Sequence, residues 1–375
     1  MLAVTKRIQC PPPIRGRATR SHSAPRSCGH IGGEVGALLR AWYRFLPEMA
    51  RVFVSCVLPG DAIDRLAREH DVVVGEAQTG VRGDAFLRDA ATFDAVVTLF
   101  TDRVDAALLD RAGRLRVVAN YAVGYDNVDL QTCAARGVVV TNTPGVLSEA
   151  TADLAFGLLL SAARRIGECD RLVRRGAYPG HDPSILLGAP VHGAVLGLVG
   201  LGRIGQAMAR RARGFGMRVL YASRTRAPFD VERALGATEV ALDELFTHAD
   251  FVSLHCPLTP ETRHLVNAAR LARMKRGAIL LNTTRGAVVD EAALATALVQ
   301  GPIGGAGLDV YEDEPRVHPA LLSLENVVLT PHVGSADHPT REAMSRIVAD
   351  NVLAVLAGRA PLNPVGPMAT PRSLP

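Results

Sequence analysis

The chain has 375 residues, 48% of them hydrophobic, which is enough for two domains of ordinary size with substantial cores. Its formal charge of +5 comes from residues 1–48, where eight Lys and Arg accompany two acids, whereas the remainder holds 34 basic and 35 acidic residues. The remainder therefore gives no indication of nucleic-acid binding. No apolar run reaches the roughly 18 residues that a membrane helix needs.

The basic segment 1–48 has the composition of a disordered tail, and residues 1–33 contain no acid at all. It lacks the continuous apolar segment of a secretory signal. Two interpretations stay open: an organellar transit segment, or a misassigned start. We favour the second, with Met49 as the initiating residue, because a strand pattern follows at once.

The six cysteines are scattered, with no CxxC pair and no metal-type spacing. This pattern predicts reduced thiols in a cytoplasmic protein and no metal site.

From residue 50, short apolar runs rich in β-branched residues alternate with helical stretches, which indicates a parallel sheet covered on both faces. Strands are predicted at 51–57, 71–75, 93–99, 115–120 and 138–141, and helices at 61–69 and 105–112. The helical stretch 147–175 is long for one helix and is a candidate connection between two lobes.

The strand–helix alternation then restarts, which predicts a second α/β unit. Its strands are predicted at 194–199, 218–223, 251–256, 278–283 and 305–310, with a helix at 291–300 and a closing helix at 338–356. The fold class is thus α/β, with two doubly wound parallel sheets.

A glycine-rich turn follows the first strand of the second unit and opens a helix. It reads Gly200-Leu-Gly202-Arg203-Ile204-Gly205. Gly200 permits the tight turn, Gly202 lets the backbone approach a pyrophosphate, and Gly205 lets the helix pack against the strand. Because the helix N-terminus also offers unpaired N–H groups, the turn predicts a dinucleotide site.

The end of the next strand indicates which dinucleotide is used. An acid there would bind the ribose 2′-hydroxyl of NAD, but the sequence reads Ser223-Arg224-Thr225-Arg226. A hydroxyl and guanidinium groups suit a 2′-phosphate, because Arg makes charge-assisted hydrogen bonds to phosphate. We therefore expect NADPH to be preferred and NADH to remain possible, unless these arginines are only solvated surface charge.

Three polar clusters are predicted at the carboxyl ends of strands in the second unit, where open α/β sheets bind ligands. They lie at 282–286, 309–315 and 331–335. Reduction of a 2-keto acid needs a cation for the substrate carboxylate, an acid for the carbonyl oxygen, a carboxylate that favours the protonated acid, and a fixed nicotinamide. Candidates for these roles, in that order, are Arg285, His332, Glu314 and Asp309.

The clusters and the turn together resemble the D-isomer-specific 2-hydroxyacid dehydrogenase family, especially its glyoxylate/hydroxypyruvate reductase branch. The resemblance covers roughly residues 50–362. Its motifs are the glycine turn with its Ser223-Arg224-Thr225 ending, 255–262 (HCPLTPET), 282–286 (NTTRG), 307–309 (GLD), Glu314-Pro315 and 330–335 (TPHVGS).

The resemblance implies a catalytic set of Arg285, Glu314 and His332. It implies a substrate lobe that is discontinuous in sequence (50–146 plus 335–362) around a Rossmann-like NAD(P)-binding domain (147–334). Val123 and Gly124 match a loop whose backbone N–H groups hold the substrate carboxylate together with Arg285 and His332. Further matches to cofactor contacts are Thr151, Pro257, Thr262, Thr284 and Asp309.

The resemblance also implies a homodimer and a small 2-keto acid substrate, with glyoxylate or hydroxypyruvate first and D-2-hydroxy acids as products. One departure is the segment before the glycine turn, which reads Tyr178-Pro-Gly-His181 where related reductases carry tryptophans; Tyr178 and His181 would make the pocket more polar. Alternatives are an NAD(P)-sensing corepressor-like protein and a dehydrogenase for phosphoglycerate, formate or phosphite.

Overall fold

A computed structural model describes residues 49–367. The predicted basic tail, and the expectation that Met49 is the true start, concern residues outside this range. Within it, all strands run parallel and form two separate sheets, so the predicted α/β fold class with two parallel sheets is confirmed.

The first sheet is built from the N-terminal third of the chain. Its strands are β1 (Arg51–Val54), β2 (Asp71–Val74), β3 (Ala95–Thr98), β4 (Val117–Asn120) and β5 (Val139–Thr141). They lie in the order β2-β1-β3-β4-β5. The central strands β3 and β4 are buried along their whole length, as expected for a parallel sheet with helices on both faces.

Short helices connect these strands. They are α1 (Ala62–Ala67), α2 (Asp84–Leu87), α3 (Ala106–Arg111) and α4 (Leu130–Ala135), with 3₁₀ turns at Gly80–Arg82 and Ala90–Thr92. The sequence sets where α3 and α4 begin, because the side chains of Asp105 and Asp129 accept hydrogen bonds from the N–H groups of Leu108 and Thr132.

Two helices leave the first sheet, α5 (Ser148–Ala163) and α6 (Ile166–Arg174). They replace the single stretch predicted at 147–175. Arg165 separates them with a φ of 53°, a left-handed conformation that no α-helix accommodates.

The second sheet has seven strands. They are β6 (Val195–Val199), β7 (Arg218–Ala222), β8 (Ala237–Glu239), β9 (Phe251–Leu254), β10 (Ile279–Asn282), β11 (Gly305–Leu308) and β12 (Val327–Leu329). They lie in the order β12-β11-β10-β9-β6-β7-β8. The sequence did not predict β8 and β12, which are three residues long and lie at the two ends of the sheet.

Six helices flank the second sheet. They are α7 (Arg203–Gly214), α8 (Phe229–Leu235), α9 (Leu242–His248), α10 (Ala268–Arg273), α11 (Glu291–Gln300) and α12 (Pro319–Leu322), with a 3₁₀ turn at Gly286–Val288. The strand order reverses at β6, because β7 and β9 lie on its opposite sides. Ligands of doubly wound sheets bind at such a switch point.

The last helix, α13 (His338–Leu356), returns to the first sheet. Met344, Val348 and Val352 join the buried core of that sheet, and Arg116 at the start of β4 donates hydrogen bonds to the carbonyls of Val355 and Leu356. The first lobe is therefore discontinuous in sequence, as predicted. The residue limits given above for the two lobes stay a prediction.

Candidate active site

The glycine turn after β6 has the geometry that its three glycines predict. Gly200 has a φ of 99°, and a Cβ there would lie 2.7 Å from the carbonyl oxygen of His255. A Cβ on Gly205 would lie 2.3 Å from the carbonyl oxygen of Gly200, whereas one on Gly202 would meet no atom within 4 Å. The first and third glycines are thus required by the protein itself, and the second faces open space that suits a pyrophosphate.

Helix α7 begins at this turn and supplies its amides. The N–H groups of Arg203, Ile204 and Gly205 have no acceptor among residues 49–367, and the helix dipole makes them favourable for an anion. Arg203 is exposed. Ile204 instead packs against the core of the first lobe, so the turn also joins the two lobes.

The residues that end β7 are presented to solvent beside this turn, since the N–H of Gly200 donates to the carbonyl of Ala222. Ser223, Arg224 and Thr225 are exposed, and none has a hydrogen bond or ion pair with another described residue. These three residues could therefore contact a dinucleotide that binds at the glycine turn.

Arg226 differs from the expectation that it would face the same ligand. Its guanidinium is bidentate on Glu232, with Nε–Oε1 and Nη2–Oε2 distances of 2.9 Å and 3.0 Å. The Tyr221 hydroxyl also donates to Glu232 Oε1 at 2.5 Å. Arg226 therefore holds the loop, and Arg224 remains the candidate cation.

His332 and Glu314 form a hydrogen-bonded pair, with Nδ1 and Oε2 2.8 Å apart. The other oxygen of Glu314 accepts the N–H of Tyr311 at 3.0 Å, which fixes the carboxylate. Both side chains are largely shielded, with 24% and 22% exposed. Nε2 of His332 has no partner among the described residues, so this pair leaves one ring nitrogen available for proton transfer.

Phe100, which follows β3 of the first lobe, covers the imidazole. The ring centroids of Phe100 and His332 are 4.0 Å apart with an interplanar angle of 31°. The sequence did not single out Phe100, although its place after a strand of the first sheet was a signal that could have done so.

Asp309 supports the His332 loop rather than facing open space. It is 1% exposed, and its carboxylate accepts the Thr330 hydroxyl at 2.6 Å and the N–H groups of Val333 and Gly334 at 2.8 Å each. Burial raises the pKa of this carboxyl. The carboxylate of Asp309 therefore anchors the loop that carries His332, and the expected contact between Asp309 and the nicotinamide stays a prediction.

Arg285 follows β10 and reaches toward the first lobe. Its Nε donates to Asp126 Oδ1 at 2.8 Å, and its Nη1 donates to the carbonyl oxygen of Thr284 at 2.8 Å. Nη2 lies against Gly124, where a Cβ would be only 1.8 Å away. Nη2 has no hydrogen-bond partner within the described part of the chain.

Gly124 lies in a loop in which the backbone N–H groups of residues 122–127 have no acceptor among residues 49–367. Three of these groups, those of Val123, Gly124 and Tyr125, surround the point that Nη2 of Arg285 approaches. We call these three groups the amide cradle. Consecutive backbone N–H groups of this kind form an anion-binding concavity.

The carbonyls of this loop are held by the first lobe. Because the N–H and C=O of a trans peptide point in opposite directions, these bonds turn the amide cradle away from the lobe interior. The donors are the Thr143 N–H to Ala122 at 3.0 Å, the Asn142 amide to Val123 at 2.8 Å and the Asn120 amide to Gly124 at 2.7 Å.

The remaining predicted cofactor contacts lie on well-anchored turns. The Thr262 hydroxyl donates to the Pro257 carbonyl at 2.7 Å, and Thr284 uses its N–H and hydroxyl on Asn282 Oδ1 at 3.0 Å each. Thr151 is buried in the first turn of α5 beside Gly334. The hydroxyls of Thr262 and Thr284 therefore stabilise the turns on which they lie.

A cluster of charged side chains and a histidine, which the sequence did not indicate, holds the turn that carries Glu314. Buried Glu291 accepts the N–H of Glu312 at 2.8 Å, and the Glu312 side chain accepts from His264 at 2.6 Å and Arg263 at 3.1 Å. Burial raises the pKa of Glu291. The turn that carries Glu314 is therefore held at both its backbone and its side chains.

Among residues 49–367, no group of His, Cys, Asp and Glu could hold a metal ion. No helix in the same range is long and apolar enough to cross a membrane.

Comparison with known proteins identifies the family. Residues 156–334 match the model of D-isomer specific 2-hydroxyacid dehydrogenase, NAD binding domain. Over 317 residues the chain is 48% identical to a glyoxylate reductase of Thermococcus litoralis, covering 84% of this chain and 96% of that protein.

Two solved structures are similar to this chain and support the same family. A protein of Thermus thermophilus is 49% identical, with a TM-score of 0.78, 84% of this chain and 100% of that one covered. The NADPH-dependent glyoxylate/hydroxypyruvate reductase of Sinorhizobium meliloti, solved with NADP and malonate, is 37% identical, with a TM-score of 0.77, 87% of this chain and 100% of that one covered. The chain belongs to the D-isomer specific 2-hydroxyacid dehydrogenases, in the glyoxylate reductase branch, and is an NAD(P)-dependent oxidoreductase.

Proposed function

We propose that the enzyme reduces a small 2-keto acid: glyoxylate to glycolate, which has no stereocentre, or hydroxypyruvate to its D-2-hydroxy acid, D-glycerate. The observation that carries this proposal is the amide cradle, three unpaired N–H groups on a loop against which the unpaired Nη2 of Arg285 lies. A carboxylate is the ligand that consecutive amides and a guanidinium both favour.

The roles of the chain's own residues follow from this arrangement. Arg285 and the amide cradle bind the substrate carboxylate and fix the orientation of the adjacent carbonyl. His332, with Glu314 on Nδ1 at 2.8 Å, donates a proton from Nε2 to the carbonyl oxygen. Glu314 stabilises the imidazolium before transfer and keeps Nδ1 as a donor afterwards. The bound reduced nicotinamide supplies the hydride.

The glycine turn and the exposed end of β7 would hold the cofactor, and we propose that NADPH is preferred. Gly200, Gly202 and Gly205 with the first amides of α7 suit the pyrophosphate, and Arg224 suits a 2′-phosphate. The similar Sinorhizobium meliloti reductase is described as NADPH-dependent.

The cofactor proposal is tested by Arg224→Ala. A charge-assisted hydrogen bond is worth about 1.5–3 kcal/mol, so kcat/KM for NADPH should fall about 10- to 100-fold. The same constant for NADH serves as the internal control and should change little. A wild-type enzyme that strongly prefers NADH would overturn the proposal.

Phe100 supports a small substrate. Its ring covers one face of the His332 imidazole, which narrows the space beside the proton donor. We therefore expect two- and three-carbon 2-keto acids to react better than branched or aromatic ones.

We also propose a homodimer that works in the cytoplasm. The helix α6 and the segment after it expose Ile166, Val173, Tyr178 and Leu187, an apolar surface that a second copy would cover. Cys56, Cys133, Cys169 and Cys256 are free thiols, as is usual in a reducing compartment. Sedimentation over a range of concentrations should give a dimer, and a monomer throughout would contradict this proposal.

A panel of 2-keto acids with NADPH and NADH, followed by chiral analysis of the product, tests the main proposal. We expect oxidation of NADPH by glyoxylate and hydroxypyruvate, and D-glycerate from the latter. Dinucleotide binding without turnover would instead support a sensing, corepressor-like role. Oxidation of formate, phosphite or phosphoglycerate in preference to reduction of these acids would assign one of those activities.

A further inference from the structure

We propose that Asp126 is a positioning residue for Arg285, and that its carboxylate holds the guanidinium so that Nη2 is the nitrogen left for the substrate. The inference rests on the proposed function, because it concerns the residue that would bind the substrate carboxylate. Asp126 comes from the first lobe and Arg285 from the second, so the contact also spans the cleft.

The contacts of the guanidinium carry this inference. Nε of Arg285 donates a hydrogen bond to Asp126 Oδ1 at 2.8 Å, and Nη1 donates one to the carbonyl oxygen of Thr284 at 2.8 Å. The remaining nitrogen, Nη2, lies against Gly124 in the amide cradle. Two fixed anchors on a planar group therefore determine where the third nitrogen points.

An arginine needs such an anchor at this position. Its side chain has about 2 kcal/mol of rotamer entropy, and Arg285 is 21% exposed. The Thr284 carbonyl alone gives one hydrogen bond around which the guanidinium can swing. The Asp126 carboxylate supplies the second point, and an ion pair across a cleft with partial exposure is stronger than one in bulk water.

Asp126 also affects the charge of the site. It lies two residues from Gly124, and a free carboxylate there would repel an incoming 2-keto acid. The pair with Arg285 offsets this repulsion. The opposite arrangement, in which Asp126 occupies the substrate carboxylate site and must be displaced, predicts that removal of its carboxylate lowers KM.

The test compares Asp126→Ala with Asp126→Asn in steady-state assays with glyoxylate and NADPH. Asn keeps an oxygen that accepts from Nε, whereas Ala removes the anchor. We expect Asp126→Ala to raise KM about 10-fold and to lower kcat about 3- to 10-fold, since the carboxylate clamp also orients the carbonyl. Asp126→Asn should recover most of both losses, and NADPH affinity measured by fluorescence titration should not change.

Asp110→Ala is the matched control, because Asp110 belongs to the same lobe and forms an exposed ion pair with Arg136 at 2.8 Å. Its kinetic constants should equal those of the wild type. Asp126→Ala introduced into an Arg285→Lys background should change kcat/KM less than twofold, because lysine has no Nε–Nη fork to orient.

Four results would overturn the inference: a lower KM in both Asp126 variants, kinetic constants of Asp126→Ala that match those of Asp110→Ala, no recovery in Asp126→Asn, or full additivity with Arg285→Lys. The proposed function fails separately, if Arg285→Ala itself retains wild-type activity.

Discussion

Gly124→Ala is a sharp test of the site, because it changes one methyl group at a known distance from Arg285. The new Cβ would lie 1.8 Å from Nη2 of Arg285, and an ordinary contact is about 3.5 Å. The guanidinium must therefore retreat by about 1.7 Å. Alanine keeps the backbone N–H, and Gly124 has no positive φ, so the loop itself can accept the substitution.

The expected loss follows from that displacement. A misplacement of about 1 Å in a positioning group can cost roughly 10²-fold in rate. We expect kcat/KM for glyoxylate to fall by at least about 10²-fold, equivalent to about 2.7 kcal/mol of transition-state stabilisation. The atom that must move is the end of a flexible side chain, so the melting temperature should stay within a few degrees of the wild type.

The assay pairs steady-state kinetics with a melting curve and an NADPH titration. Gly214→Ala is the control, since Gly214 ends α7 and a Cβ there meets no atom within 4 Å. A Gly124→Ala enzyme with unchanged kcat/KM would refute the reasoning, because Arg285 could then not be needed where the structure places it. A large fall in melting temperature would show that the loop, and not Arg285, was disturbed.

Three further outcomes are expected. His332→Ala should lower kcat by about 10²- to 10⁴-fold while NADPH still binds, and unchanged turnover would disprove its role as the acid. Glu291→Ala should lower both kcat and the melting temperature, because the Glu312 N–H loses its acceptor. Glu291→Gln keeps an accepting oxygen and should retain most activity. Equal losses of kcat in the two variants would contradict this prediction. Burial lowers the pKa of His255 to about 4, whereas the same imidazole in the unfolded chain titrates at about 6.5. As the pH falls from about 6.5 toward 4, the unfolded chain binds a proton that the folded protein does not, and the free energy of unfolding therefore decreases. Between pH 7.5 and pH 5 this amounts to about 2 kcal/mol, which His255→Gln should abolish in urea unfolding; an unchanged pH difference would refute it.

The sequence predicted those features that depend on local pattern. Gly200 and Gly205 were assigned because tight turns and close packing leave no room for a Cβ, and the structure shows both clashes. His332 and Glu314 were paired because a proton donor needs a carboxylate that favours its protonated form, and both were expected at the carboxyl edge of the second sheet. Their 2.8 Å contact agrees with that reasoning.

Features that depend on how the two lobes meet were not predictable. Phe100 and Asp126 belong to the first lobe, yet their partners, His332 and Arg285, belong to the second. No spacing in the sequence fixes the distance between two separately folded sheets. The expectation that Arg226 would face the cofactor was wrong for a related reason. Its acceptor, Glu232, lies on the next helix, and only the fold shows that the two side chains are bonded.

The return of α13 to the first sheet has a consequence for biosynthesis. The strands β6–β12 are contiguous in sequence, so the second lobe can close its core as soon as it leaves the ribosome. The first lobe is translated earlier, but the face that receives Met344, Val348 and Val352 stays uncovered until residue 356 has emerged. We therefore expect the second lobe to close its core before the first, which reverses the usual order in which N-terminal domains fold first, and the apolar face of the first sheet to stay uncovered until α13 can pack on it.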